Sequence, residues 1–389
     1  MATARPRRVL CRPRRPGNTI LLAMLMMMVM FALLAFSVDT GYLLLTRTQL
    51  QRSADAAAMA AAWDMLDQKI AAAGNTTNTS SSQQASRAHQ VADQFATLNN
   101  VGNVAPRLAF GDVSVGYLEN PSDSNAQLVN DPSRANAVRV LIRRAEDQNG
   151  QTPLFFARVM GFTSLAQEAT ATASFADSFR GLRAPTGGGN LDFLPLALDR
   201  ETFYNLLAGI GSDLWSWNSD SETIGSGSDG IKEANLFPQG TGSPGNRGTV
   251  DIGSNNNSTA DLSRQIRDGV TPADLAYHGG KLEFNSDGKL FLNGDTGISA
   301  AIKDDLAAIK GKSRIIPLFT QVAGNGNNAY YTIVEFAAVR ILDVDLTGSK
   351  NNKRVIIQPA PMVFQGGIPQ TSGGTSVTTF MYSPISLSR

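Results

Sequence analysis

Residues 19–62 read TILLAMLMMMVMFALLAFSVDTGYLLLTRTQLQRSADAAAMAAA, and this stretch decides the architecture. No charged residue occurs from Pro16 to Val38, and the apolar positions include Ile20, Leu21, Leu22, Leu25, Val29, Phe31, Leu34 and Val38. About 20 apolar residues at ~1.5 Å each span the ~30 Å hydrocarbon core of a bilayer. A backbone crosses lipid only with its hydrogen bonds closed internally, so the segment is predicted to be helical. Arg7, Arg8, Arg12, Arg14 and Arg15 precede it, and Asp39 is the first charge beyond it. The excess of arginine on one side predicts a cytoplasmic N-terminus and export of the chain after about residue 40. The expected division is therefore a cytoplasmic basic segment (1–18) and a transmembrane helix (19–38). The location is the inner (cytoplasmic) membrane, crossed once, with membrane lipid as the first partner.

A cleaved signal peptide also begins basic, but its apolar part is shorter, ~7–15 residues, and ends in a small-x-small site. Here the run is longer and no Ala-x-Ala closes it, so the segment reads as an anchor. Arginines immediately before such a span read as an orientation signal rather than a nucleic-acid arm, and no nucleic-acid partner is expected. Cys11 precedes the apolar run instead of following it, which excludes a lipoprotein attachment site.

Beyond Tyr42 the pattern does not break into a loop. Good helix formers continue to Ala62, which predicts one long helix, half in lipid and half projecting. Its alanines serve either close packing or simple helix propensity. Gly74–Ser82 is a polar break. Residues 82–99 then read as a second helix with Ala88, Val91, Phe95 and Leu98 on one face. Strands are predicted at 112–118, 137–143 and 165–176, and Phe155–Gly161 reads as a short helix closed by glycine. The unit 39–182 is thus a helical and α+β region.

Residues 183–190, containing Pro185 and Gly187–Gly189, read as a linker. The remainder, 191–389, is expected to be mainly β, with strands at 314–322, 330–346, 354–358 and 376–382. Its clearest helix runs from 299 to 310, with Ile298, Ile302, Leu306 and Ile309 on one face and Gly311 as the stop. Among 389 residues only 17% are charged while 42% are hydrophobic, a makeup that suits strands and turns. One cysteine permits no intrachain disulfide.

No catalytic constellation emerges. The two histidines, His89 and His278, lie in no metal-ligand spacing, and His89 reads as a surface residue. Asn285–Gly288 lacks the carboxylates of a calcium loop and reads as a turn. No Gly-x-Ser-x-Gly elbow precedes an Asp and a His, and no glycine run carries the Lys-Ser/Thr of a phosphate loop. Asp343 and Asp345 share a strand face and read as solvated edge residues. No catalytic, metal or cofactor-binding residue is assigned, no cofactor is expected, and the chain is not expected to be an enzyme.

The residues do carry a resemblance. Arg15-Pro16-Gly17 leads into the apolar span. Val38-Asp39-Thr40-Gly41 follows it, and then Leu50-Gln51 with Ala54-Asp55-Ala56-Ala57-Ala58. Over about residues 14–63 this pattern resembles the N-terminal region of TadG-like proteins, a family assigned to Flp (Tad) pilus assembly in bacterial envelopes. Phe155–Ala173, Gly245–Asp251, Gly294–Gly297 and 315–339 are weaker points of likeness. The resemblance implies a single-pass protein with an exported body, other Tad pilus or envelope proteins as partners, and no enzymatic activity. Related pseudopilins are cut after a glycine and carry Glu five residues on. Here Gly17 and Asn18 offer such a junction, but the fifth residue is Leu22. Two other readings stay open: a pilus or pseudopilus subunit polymerising through its N-terminal helix as a homo-oligomer, and an envelope enzyme or surface-binding protein with an unrecognised site.

Overall fold

A computed structural model describes residues 19–73, 81–121, 126–237, 247–324, 326–370 and 378–388. The arginines at 7, 8, 12, 14 and 15, Gly17 and Asn18, and most of the Gly74–Ser82 break lie outside the described residues. The fold is α+β. It has a long N-terminal helix, a second helix, and a mostly β C-terminal part.

Helix α1 runs unbroken from Thr19 to Ala73, 55 residues, or about 80 Å at the α-helical rise. No proline interrupts it, and Gly41 is its one internal glycine. Its two halves have opposite surroundings. From Ile20 to Val38 the large side chains stand exposed. From Leu50 onward one stripe disappears from solvent: Leu50, Ala54, Ala57, Ala58, Ala61, Ala62, Met65 and Leu66. Steps of three, four and one residues put these side chains on a single helical face.

That face is covered by helix α2 (Ser81–Leu98) and by a sheet of β1 (Val113–Gly116), β2 (Ala137–Arg144) and β5 (Gln167–Ser174). The register β1–β2–β5 is antiparallel throughout, with Val140 opposite both Val113 and Ala171. A fourth strand, Ser386–Ser388, pairs with the free edge of β5, so the end of the chain returns to the first sheet. Ser53 Oγ donates to Ala96 O at 3.3 Å, which measures how closely α1 and α2 approach.

The second helix forms where expected, but its buried face differs. Ala88, Ala92 and Ala96 point inward, whereas Phe95 and Leu98 are exposed. Helices this close leave room only for methyl groups, so the alanines, not the larger apolar side chains, set the interface. His89 is half-buried rather than on the surface. Its ring packs against Phe110, and Nε2 lies 3.3 Å from Leu108 O.

The C-terminal part is built on a closed ring of five strands. Ala329–Asp345, 17 residues long, pairs with Leu290–Asp295, which pairs with Gly248–Val250, then Leu196–Asp199, then Ser313–Ala323, and so back to Ala329–Asp345. The closure is a parallel pairing, Leu318 with Leu198. Strand 313–323 is buried on both faces. Ile315 and Phe319 enter one core with Phe193, Leu292, Tyr331 and Phe336. Ile316 and Leu318 enter another with Leu196, Leu198, Ile302 and Leu306. The period of two in side-chain direction explains how one strand serves both.

The helix expected at 299–310 is a 3₁₀ turn (Ala300–Ile302) running into Lys303–Ala308, with Ile298, Ile302, Leu306 and Ile309 all buried. Strand Phe179–Arg183 precedes the glycine-rich 183–190 segment and pairs with Lys281–Glu283 and Gly367–Pro369. Phe175 packs in the core of the first sheet, and Phe179, four residues on, in the core of the second.

Candidate functional site at the helix exit

Asp39 sits where the exposed half of α1 ends, and it is 5% exposed. Its partners come from a hairpin more than a hundred residues away. Strands β3 (Thr152–Pro153) and β4 (Ser164–Leu165) pair antiparallel, and a single 3₁₀ turn, Ala157–Met160, forms the tip between them. The tip is the short glycine-closed helix expected at 155–161. Gly161 adopts φ 92°, the left-handed conformation a glycine accepts without strain.

The Asp39 carboxylate accepts from the N–H groups of Phe155 (2.8 Å), Phe156 (3.0 Å) and Ala157 (2.7 Å). These amides open the 3₁₀ turn and have no partners within it, so a carboxylate is the natural acceptor. Burial pushes the carboxyl upward, but the three amides and the nearby charge of Arg158 outweigh it, and the pKa falls below the ordinary aspartate value. Two further contacts hold the hairpin and the start of β5 to the helix. Tyr42 and Phe155 meet edge to face at 5.2 Å, and Gln167 Nε2 donates to Leu43 O at 3.0 Å.

The tip itself is apolar and uncovered. Val159 is 92% exposed and Met160 79%, and Phe155, Phe156 and Phe162 are exposed beside them. Between the tip and α1 runs an apolar groove of about 690 Å³.

The remaining motif residues act within the fold. Gln51 Nε2 donates to Asp55 Oδ1 (2.8 Å) and to Thr170 O of β5 (3.2 Å), fastening α1 to the sheet. Leu50, Ala54, Ala57 and Ala58 are fully buried and Ala56 half-buried, whereas Gly41 is exposed. The alanine stripe is therefore spent on the protein's own core and is not an outward contact face. Ile20, Leu21, Leu22, Leu25, Val29, Phe31, Leu34 and Val38 stand free along the lower half of α1.

In the C-terminal part, Gly248–Val250 and Gly294–Asp295 are brought together as paired strands, Val250 opposite Gly294. Asp343 is not solvated as expected. It is 7% exposed, and its carboxylate accepts from Arg354 Nε at 2.6 Å and Lys310 Nζ at 3.4 Å, next to an irregularity in the strand. Pairing with two cations is what allows a carboxylate to be buried there. Glu335 is likewise buried and satisfied, by Tyr204, Arg200 and Thr379. His278 is held toward its neutral form by burial, partly offset by the backbone of Asp251. Among the described residues, no group of three or more His, Cys, Asp or Glu is placed to hold a metal ion.

Asp39 was legible in the sequence as the first charge after the apolar run and as part of the Val38–Gly41 family pattern, and 155–161 as a short helix, but the contact between them was not. The signal available was the apolar density of 155–162 in a segment bounded by turns.

Among the described residues, one helix is long and apolar enough to cross a membrane, and it is exposed along that stretch and continuous with an α+β body. Residues 17–64 match the family described as "Putative Flp pilus-assembly TadE/G-like", and residues 71–173 match "Putative Tad-like Flp pilus-assembly". In these two stretches the chain is similar to the Tad pilus-assembly families. These are not enzymatic families. No curated protein and no solved structure matches the chain.

Proposed function

We propose that this is a non-enzymatic component or accessory of a Flp/Tad-type pilus assembly system, held in the inner (cytoplasmic) membrane by residues 19–38. Its N-terminus is cytoplasmic and its body exported, and its partners are other Tad or envelope proteins. The observation that carries this reading is the pair of family matches at 17–64 and 71–173, which cover the apolar helix and much of the first α+β unit packed on it. The structure supports a specific mechanical role. Helix α1 passes from the span into the core of the body with no intervening loop, so the body is held rigidly at the membrane rather than tethered.

The test is deletion of the gene in its own organism, with pili counted by electron microscopy and the N-terminus of the membrane-bound protein measured by intact mass. Loss of pili with a full-length N-terminus in the membrane fraction supports the accessory reading. A chain beginning at Asn18 and recovered in sheared filaments would replace it with the subunit reading. Normal piliation would remove both.

A further inference from the structure

We propose that the hairpin tip 155–162 is a second membrane contact, a wedge that enters the outer leaflet of the bilayer alongside α1. The inference rests on residues 19–38 being the membrane span. The tip lies beside the helix, not above it. The groove between them is lined on one side by Val159, Met160 and Phe162, and on the other by helix residues reaching down to Phe31. Phe31 is eight residues below Asp39, about 12 Å along the axis. A 20-residue span fills the ~30 Å hydrocarbon layer, so what faces Phe31 and Leu34 lies within the outer half of that layer. The span cannot slide far enough toward the N-terminus to avoid this, because Arg15 stands close before it.

The chemistry of the tip fits lipid on three counts. First, its exposed side chains are two phenylalanines, a valine and a methionine at the end, with Phe162 behind them. Isolated on a soluble surface such a cluster would be left in water at a cost of roughly 25 cal/mol per Å² of apolar area. Second, six of its backbone amides are already paired. Phe155, Phe156 and Ala157 donate to Asp39, Val159 N to Phe156 O, Gly161 N to Arg158 O, and Phe162 N to Ala157 O. Lipid tolerates an irregular backbone only when its polar groups are satisfied this way. Third, Arg158 is the single charge between Leu154 and Leu165, and it is exposed. Its long stem lets the guanidinium reach up to lipid phosphates while the apolar neighbours stay below.

Two contacts with the bilayer, one spanning and one inserted from the side, fix the rotation and tilt of the body about the membrane normal. A single helix leaves both free.

The test uses the full chain with Cys11 replaced (Cys11→Ser) and single cysteines placed at Val159 and Phe162 in the tip, Leu34 in the span and Ser221 on the body. Each is labelled with an environment-sensitive fluorophore. The protein is reconstituted in phosphatidylcholine–phosphatidylglycerol vesicles carrying nitroxides on the acyl chains. Val159 is almost wholly exposed, so its substitution does not touch the core. The expected result is a blue-shifted emission for the tip labels, quenched by about half, as for a group inserted ~5–10 Å below the headgroups, with Ser221 unquenched. A quenched Leu34 label with water-like tip labels overturns the wedge and leaves the anchor standing. A water-like Leu34 label overturns both. Tip labels that are blue-shifted but not quenched are covered by another copy of the chain instead of lipid, and also overturn the proposal.

Discussion

The carboxylate of Asp39 and the backbone N–H of Ala157 are 118 residues apart in the chain and 2.7 Å apart in space. That contact, with its neighbours at Phe155 and Phe156, joins the end of the exposed helical segment to the apolar hairpin tip. Replacing Asp39 with Ala removes the acceptor for three amides at once. Hydrogen exchange at Phe155, Phe156 and Ala157 is expected to quicken by at least about tenfold, while β2 and β5 keep their protection, because opening of the tip is local. Unchanged exchange at these amides would show that the carboxylate does not hold the hairpin.

The same contact sets a pH response. The folded-state pKa of Asp39 lies below its ordinary value, so the tether is complete above the unfolded value of ~3.9 and is lost as pH falls through the lower folded value. Proteolytic accessibility of 155–162 should therefore stay flat from neutrality to about pH 5 and rise only below about pH 4. A rise near neutrality would mean that a different group controls the hairpin.

The alanine stripe of α1 makes a packing prediction. Ala58 is fully buried between helix and sheet, and Ala58→Leu forces in three extra carbons. Denaturant unfolding of the detergent-solubilised chain should show a loss of about 1–3 kcal/mol. Trp63→Ala, on the 46% exposed side of the same helix, should change stability by no more than about 0.5 kcal/mol. Equal effects from the two would argue against the alanine interface.

In the barrel, Gly294 has no space for a side chain. A Cβ built there meets Thr249 O at 2.1 Å, because strands 248–250 and 290–295 cross closely at this point. Gly294→Ala must push paired backbone apart, and a loss of about 3 kcal/mol is expected in thermal unfolding. An unaltered melting temperature would contradict the strand pairing.

Removing 385–388 strips the last strand from the edge of β5 and uncovers the contacts of Ile385 and Leu387 with the first core. The shortened chain should aggregate through the opened edge, with the first sheet losing protection before the barrel does. A monodisperse truncated protein with intact protection in β5 would count against that role for the C-terminal strand.

Much of this architecture is written locally. The 20-residue apolar run and the helix formers after it specify α1 as far as the middle of the body. The isoleucine spacing of 298–309 marks both a helix and its buried face. Such patterns need only the neighbouring residues, because helix and strand periods are properties of the local backbone. The second helix shows the limit. Its largest apolar side chains, Phe95 and Leu98, are exposed, because the distance between α1 and α2, and not hydrophobicity, chose the alanines. The solvated reading of Asp343 failed for a related reason, since its two cations arrive from positions 11 and 33 residues away.

By itself the sequence determined the long apolar run, the continuity of the helix beyond it, the α+β character and the family pattern over 14–63. The tertiary structure alone decided which way the alanines face, that five strands close into a ring, that the last strand returns to the first sheet, and that Asp39 meets the 155–157 amides. The difference is one of range. Composition and periodicity act over a few turns of chain, whereas each of the latter contacts depends on where distant segments come to rest once their apolar faces are buried together.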